Sequence, residues 1–381
     1  MAVDDVGPWV RWVEADGQRL ETRGVKWSVT APSLGALSAR LRPRLASLGA
    51  GERVWYAASF DPSVGHQDDP VWAGFAPCMA FLPEACVETR GGQGAVSGGV
   101  RREAVGDPEG WRRLVGEALE AFASQGLEKV VGARRAVVPW RGERRALCEA
   151  LDGVAAASGG VSFAVAPPER QACFVGATPE RLLRRAGRRV SADALAGSLP
   201  RVPGRDAAVA EALLRSEKDL REHRYVRDAL IEKLGAFCDE IAAPPEPVVK
   251  ILPNVVHLYT PVEGRLRDPS VDALTLVEAL HPTPAVGGTP QEAARAWIAA
   301  HEPVPRGWYA GPVGWCDGAG DGSFVVALRS AVLREGAAWV FAGAGLVAGS
   351  DPAHEWRETE AKMQAMLGAL GAAEGRVSDG Q

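Results

Sequence analysis

Near the C-terminus, Glu355, Glu358 and Lys362 recur at i, i+3 and i+7 behind Asp351–Pro352. Asp351 is a good N-cap and Pro352 suits the first helical position, so a helix carrying all three is expected. At 100° per residue the three fall within about 60° of one another, and Met366 and Leu370 continue the same face. Two carboxylates and an ammonium aimed the way the core residues are aimed describe a site. The alternative is a solvated Glu358–Lys362 surface pair, worth roughly 0.3–0.5 kcal/mol. A third carboxylate, Glu222, shares a helical face with Val226, Ala229, Leu230 and Phe237. On such a face it must be paired, protonated or bound to a metal. Oxygen ligands without a Cys/His cluster favour Mg²⁺ over zinc, and Mg²⁺ typically keeps waters and takes a substrate anion too.

Four further residues are candidates. Lys129, at the mouth of the strand-like run KVVGARRAVV, reads either as a general base, if burial depresses its pKa, or as a solubility residue. Glu180, after Thr178–Pro179, is either a general acid or a turn residue. His257, inside the apolar run VVHLYT, is more often a satisfied core histidine than a catalyst. Arg329 alternates with apolar neighbours in Ser323–Leu333, and burying it without an anion is costly, which suggests a substrate carboxylate. The run GAGLVAG has the spacing G-x-G-x-x-x-G, not the dinucleotide fingerprint G-x-G-x-x-G. Its glycines, read as a turn between a strand at Ala337–Phe341 and the Asp351-capped helix, instead suit a carboxylate at a helix N-terminus.

The elements that must position these residues are legible in part. A chain of 381 residues, 46% hydrophobic and 24% charged, can bury a large core. A net charge of -5 offers no global field for nucleic acid or an anionic membrane. Six scattered cysteines without a C-x-x-C fit buried thiols in a reducing compartment. MAVDDVGPWV has no apolar core of a signal peptide and no run is long enough to span a membrane, so a cytoplasmic protein is expected. Early on, a short helix at Leu34–Leu41 is expected to stop before Pro43. Val54–Phe60 and Val71–Leu82 read as an antiparallel strand pair, and Arg90–Gly99 as a glycine-rich loop. Asp107 caps an amphipathic helix that Gly126 ends. Val190–Leu195 reads as a strand ending in the turn ADALAGSLPR. Helices follow at Asp206–Arg215 and Glu217–Phe237, the second capped by Ser216. Frequent hairpin-like pairs favour an α+β architecture with large antiparallel sheets over a parallel one.

Taken together, EKVVGAR, ATPERL, ALAGS, SEKDLREHRYV, VVHLYT, LHPTPAVGG, RGWYAGPVGW, VVALRSA and AGAGLVAGSDPAHEWRETEAK resemble, in order, the chorismate-utilising enzyme family and within it the isochorismate synthases. The resemblance runs from about Val54 to Leu370 and is strongest from Gly126. It implies one domain over 1–381, with residues 1–105 less typical and a chorismate-binding core over 106–372. The implied fold is two large antiparallel β-sheets packed as a sandwich with helices outside. It implies Mg²⁺-dependent conversion of chorismate to isochorismate: water adds to one ring carbon, the double bonds shift, and the hydroxyl two carbons away leaves. Lys129 matches the base and Glu180 the acid. Glu222 and Glu358 match metal ligands, with Glu355 beside them. Arg329 and Tyr309 match substrate-carboxylate contacts, next to the Gly345 backbone. Gly197, Ser198, His257, Ala285 and Lys362 match residues that line or support the site.

Aminating relatives differ at the Lys129 position or place a lysine in the ALAGS segment, and they need ammonia delivery. No glutaminase subunit is therefore expected, and a monomer acting on chorismate alone is. Salicylate synthases, the alternative reading, share the lysine but differ where this chain has LHPTPAVGG. Two departures from the family pattern stand out: Gly132, where a bulkier apolar residue is common, and Ser198 in place of Thr. Whether the isochorismate feeds menaquinone or a siderophore, the same site is implied.

Overall fold

Side chains alternate between two buried faces along most of the strands, which sorts them into two stacked sheets. The computed structural model describes residues 9–90, 106–167 and 172–378, the last through its backbone alone from 372 onward. In chain order the first elements are β1 (Trp9–Val13), β2 (Gln18–Arg23), β3 (Trp27–Ala31), α1 (Leu34–Leu45), β4 (Arg53–Ala58), β5 (Cys78–Leu82) and β6 (Ala85–Arg90). Next come α2 (Pro108–Ser124), β7 (Lys129–Pro139), α3 (Arg144–Ser158), β8 (Val161–Ala166), β9 (Ala172–Thr178), β10 (Arg181–Ala186) and β11 (Arg189–Pro200). Then follow α4 (Asp206–Arg215), α5 (Glu217–Gly235), β12 (Cys238–Ala242), β13 (Val248–Ile251), β14 (Val255–Leu266), α6 (Ala273–Leu280) and β15 (Gly288–Thr289). The chain closes with α7 (Gln291–His301), β16 (Pro312–Asp317), β17 (Gly322–Val326), β18 (Ser330–Arg334), β19 (Ala337–Val347) and α8 (Pro352–Ser378).

One sheet has the order β15-β7-β19-β18-β9-β8-β1-β2-β6, the other β12-β14-β11-β10-β17-β16-β4-β5-β3, with β13 also on β14. Every described pairing is antiparallel, as in β7–β19, where Lys129 faces Val347 and Val131 faces Gly345. Between the sheets lies an aromatic core that includes Trp12, Trp55, Phe174, Phe324 and Phe341. The opposite face of the first sheet, with Val175 and Val340, packs under α3 and α8. Residues 9–90 supply three strands to each sheet. This is the α+β sandwich expected, with helices on its outer faces.

Local signals hold where they are strong. Asp107 accepts from Gly110 N at 2.9 Å and Ser216 from Asp219 N at 3.3 Å, and Asp351 accepts from His354 N at 2.7 Å. Non-local pairing overrides weaker ones. Helix α1 runs on through Pro43, because Leu37, Leu41 and Leu45 form one buried stripe and the proline sits only in the last turn. Residues 71–75 turn instead of extending, with Phe75 N bonded to Trp72 O. Gly343 and Gly345 lie inside β19 and form no turn, since the strand pairs with β7 over its full length. Segment 192–200 belongs to β11, which absorbs Gly197 (φ +76°) as a bulge opposite β14. Run Ser323–Leu333 is two strands in different sheets, β17 and β18, with Arg329 at the bend between them at φ +47°. The loop expected over residues 90–99 lies, beyond Arg90, outside the described residues.

Candidate active site

The N-terminal end of β7, the C-terminal half of β19, helix α5 and the first turns of α8 surround a cleft whose space, its open mouth included, is about 620 Å³. Of the residues singled out in the sequence, Glu180, Ser198, Glu222, His257, Ala285, Tyr309, Arg329, Gly345 and Lys362 line it. Lys129, Gly197, Glu355 and Glu358 stand behind this lining. Lys129 is fully buried, and its Nζ is 3.2 Å from Glu222 Oε1, which does face the cleft. Gly197 is needed for backbone clearance, because a Cβ there would sit 2.9 Å from Asp219 O.

Glycines on β19 let side chains approach the sheet. A Cβ at Gly345 would lie 1.9 Å from Glu222 Oε1, so only glycine admits the carboxylate here. Lys362 donates to Glu358 at 2.5 Å and to Gly343 O at 2.9 Å, tying α8 to the same strand. Gly132, on the neighbouring strand, faces α2, and a Cβ there would meet Leu114 and Leu346 at 3.3 Å and Trp111 at 3.5 Å, which leaves little room for a larger side chain.

Burial and charge act in opposite senses on the two acid–base candidates. Burial destabilises the ammonium of Lys129 and lowers its pKa, against the pull of Glu222 and Glu180. Burial, with help from Asp193, raises the Glu180 carboxyl to about 8, against Lys129 and Lys362. At neutral pH Glu180 therefore holds a proton in a site where Lys129 gives one up more readily than an exposed lysine.

Arg329 donates to His257 Nε2 at 2.8 Å, and His257 Nδ1 lies 2.7 Å from Ser198 Oγ. A guanidinium only donates, so Nε2 accepts and the ring carries its proton on Nδ1, toward Ser198. Burial, reinforced by Arg329 and Lys362, keeps His257 well below its usual pKa. Among the described residues no carboxylate is within ion-pair distance of Arg329, and burial lowers its guanidinium to about 10. A buried cation paired only with a neutral ring is a receptor for an anion. Tyr309 stacks on Phe341 with centroids 5.3 Å apart and fills the wall next to it.

The three glutamates lie together at the α5–α8 end. Burial pushes Glu222 up, but Lys129, Lys218 and Lys362 pull harder and hold it below its ordinary value. Glu355 is fully buried and is raised to about 7 by burial and by Glu358, against Lys218, whose Nζ is 2.5 Å away. Its Oε2 has no hydrogen-bond partner among the described residues. One ligand atom each of His354, Glu355 and Glu358 lies within 4.8 Å of the others. A buried orphan oxygen in a carboxylate cluster fits a hard divalent cation. Three residues went unnoticed in the sequence. Lys218 and His354 are among them, and Lys218 was legible as an i, i+4 neighbour of Glu222 on α5. The third, Arg306, donates to Val131 O at 2.7 Å, Val286 O at 2.6 Å and Glu302, bracing the wall where RGWYAGPVGW begins.

The fold is thus an antiparallel sandwich, and the site a cleft lined by Arg329, Lys362 and a carboxyl that keeps its proton at neutral pH. The sequence matches the family described as chorismate binding enzyme over residues 95–371, and the chain belongs to that family. The salicylate biosynthesis isochorismate synthase of Pseudomonas aeruginosa is 42% identical over 74% of this chain and 58% of its own. A Bacillus anthracis crystal structure described as a 2,3-dihydroxybenzoate-specific isochorismate synthase, DhbC, superposes with TM-score 0.86 at 31% identity, covering 97% of this chain and 98% of that one. The menaquinone-specific isochorismate synthase MenF of Escherichia coli gives TM-score 0.76 at 26% identity, over 96% and 90%. The matches to the first curated relatives span 50% to 58% of those proteins' own lengths.

Proposed function

We propose that this chain interconverts chorismate and isochorismate with Mg²⁺ as cofactor. The observation that carries the reading is the pair Lys129 and Glu180: Glu180 lines the cleft, Lys129 is buried behind the wall formed by Glu222, and burial moves each toward an opposite chemical task. Water is a poor nucleophile and hydroxide a poor leaving group, so the reaction needs a base and an acid acting on different ring carbons. Lys129 takes the proton from the incoming water, and Glu180 gives its own to the departing hydroxyl. Arg329, braced by His257 and Ser198, holds a substrate carboxylate, with Tyr309 and the Gly345 backbone beside it. Glu355 and Glu358, which cluster with His354, would hold the Mg²⁺ together with Glu222 from α5, which lies outside that cluster beside Lys129. When bound, the ion neutralises carboxylate charge on the substrate.

The names of the relatives cover salicylate, 2,3-dihydroxybenzoate and menaquinone routes, and chorismate isomerisation is the step they share. Among the described residues no helix is long and apolar enough to cross a membrane. The test is product analysis by HPLC with chorismate as sole organic substrate. Isochorismate is expected from the wild type with Mg²⁺ and none from Lys129→Ala. Salicylate plus pyruvate as main products would replace this reading with the lyase.

A further inference from the structure

The backbone around Glu180 is gripped from both sides by residues that the reaction itself does not require. Lys250 Nζ donates to Pro179 O at 3.3 Å, and Arg181 N donates to Asp193 Oδ2 at 3.2 Å. Tyr259 joins the two grips: its Oη donates to Asp193 Oδ1 at 3.1 Å, and Lys250 Nζ stands 5.0 Å over its ring. These residues come from three adjacent strands, β13, β14 and β11. Lys250 pairs directly across from His257, and Leu195, two residues from Asp193, across from Tyr259. Strand periodicity therefore turns all three to the face that carries His257.

We propose that Asp193 and Lys250, linked through Tyr259, form a clasp that positions Glu180 in the cleft and sets its proton affinity by opposing charges on either side of the 179–181 backbone. The proposal rests on Glu180 being the acid of the reaction above. Asp193 favours the protonated carboxyl, and Lys250 the ionised one alongside Lys129, Lys362 and Arg329; Tyr309, which also faces Glu180, does not favour its ionisation. Peptide hydrogen bonds fix where the carboxyl stands, and the two charges decide how long it keeps its proton as pH rises. Neither Asp193 nor Lys250 lines the cleft, so both are positioning residues.

The test compares Asp193→Asn and Lys250→Met with wild type in two readouts. One is the alkaline limb of the kcat–pH profile. The other is the infrared titration of the Glu180 carboxyl, its band assigned by its absence in Glu180→Gln. Asp193→Asn is expected to move both to lower pH, and Lys250→Met to higher pH, each on the order of one pH unit. Either variant alone suffices if the other fails to fold. Shifts of the same sign, or none, overturn the clasp. Because the infrared titration needs no turnover, it decides the clasp even if chorismate proves not to be the substrate.

Discussion

Glu180→Gln should disable the enzyme and stabilise the protein. The carboxyl is 3% exposed, and its folded pKa of about 8 stands above the ordinary 4.5. An acid raised in this way keeps its proton when the unfolded chain has released it. Between about pH 4.5 and about 8 the unfolded state therefore gains on the folded one, and above that range the penalty is constant. At about 1.4 kcal/mol per pH unit, the full penalty approaches about 5 kcal/mol. Glutamine has the size and donor capacity of the protonated acid without the ionisation, so it removes the pH-dependent part. Urea unfolding of both proteins at intervals from pH 5 to 9 measures the difference. The variant's advantage should be about 1 kcal/mol at pH 5, grow through pH 7 and level off above pH 8. An advantage that stays flat across this range would refute burial as the source of the raised proton affinity. The same variant should lose chorismate turnover by at least about a hundredfold.

Arg329→Met removes the buried guanidinium whose hydrogen bond, among the described residues, is to a neutral histidine, so KM for chorismate should rise by about tenfold to a hundredfold, with a smaller change in kcat. An unchanged KM in steady-state kinetics would place the substrate carboxylate elsewhere. Gly345→Ala puts a Cβ 1.9 Å from Glu222 Oε1, so the carboxylate must move and calorimetric Mg²⁺ affinity should fall while thermal stability drops by only about 1–3 kcal/mol. EDTA should suppress turnover, and added Mg²⁺ should restore it, without changing far-UV circular dichroism. Fluorescence-detected melting in Mg²⁺ should show a higher Tm for wild type than for Glu358→Gln at equal ion concentration.

What the sequence made legible follows from how local each signal is. Helices α2, α5 and α8 carry their own caps and stripes, and the architecture follows from hairpin-like pairs. Arg329 was assigned to a continuous alternating strand because nothing within ten residues says that β17 and β18 belong to different sheets. Only the stacking of the sandwich imposes the bend that turns its guanidinium into the cleft. Gly343 and Gly345 read as a turn for the same reason: their pairing partner is some two hundred residues earlier. The separate candidates Lys129, Glu180 and Glu222 had bland readings as single residues, and it was the order of nine motifs that grouped them. Their altered proton affinities come from burial among partners on β7, α5 and α8, which spacing alone does not encode. Lys218 escaped notice because its partner, Glu355, lies on another helix.

In the reaction proposed, a water activated at Lys129 enters the ring while the hydroxyl protonated by Glu180 leaves. Incubating the protein with chorismate and Mg²⁺ in H₂¹⁸O and analysing the product by mass spectrometry tests it directly. Isochorismate carrying one ¹⁸O at the new ring hydroxyl is expected. Unlabelled isochorismate, or salicylate and pyruvate in its place, would contradict it.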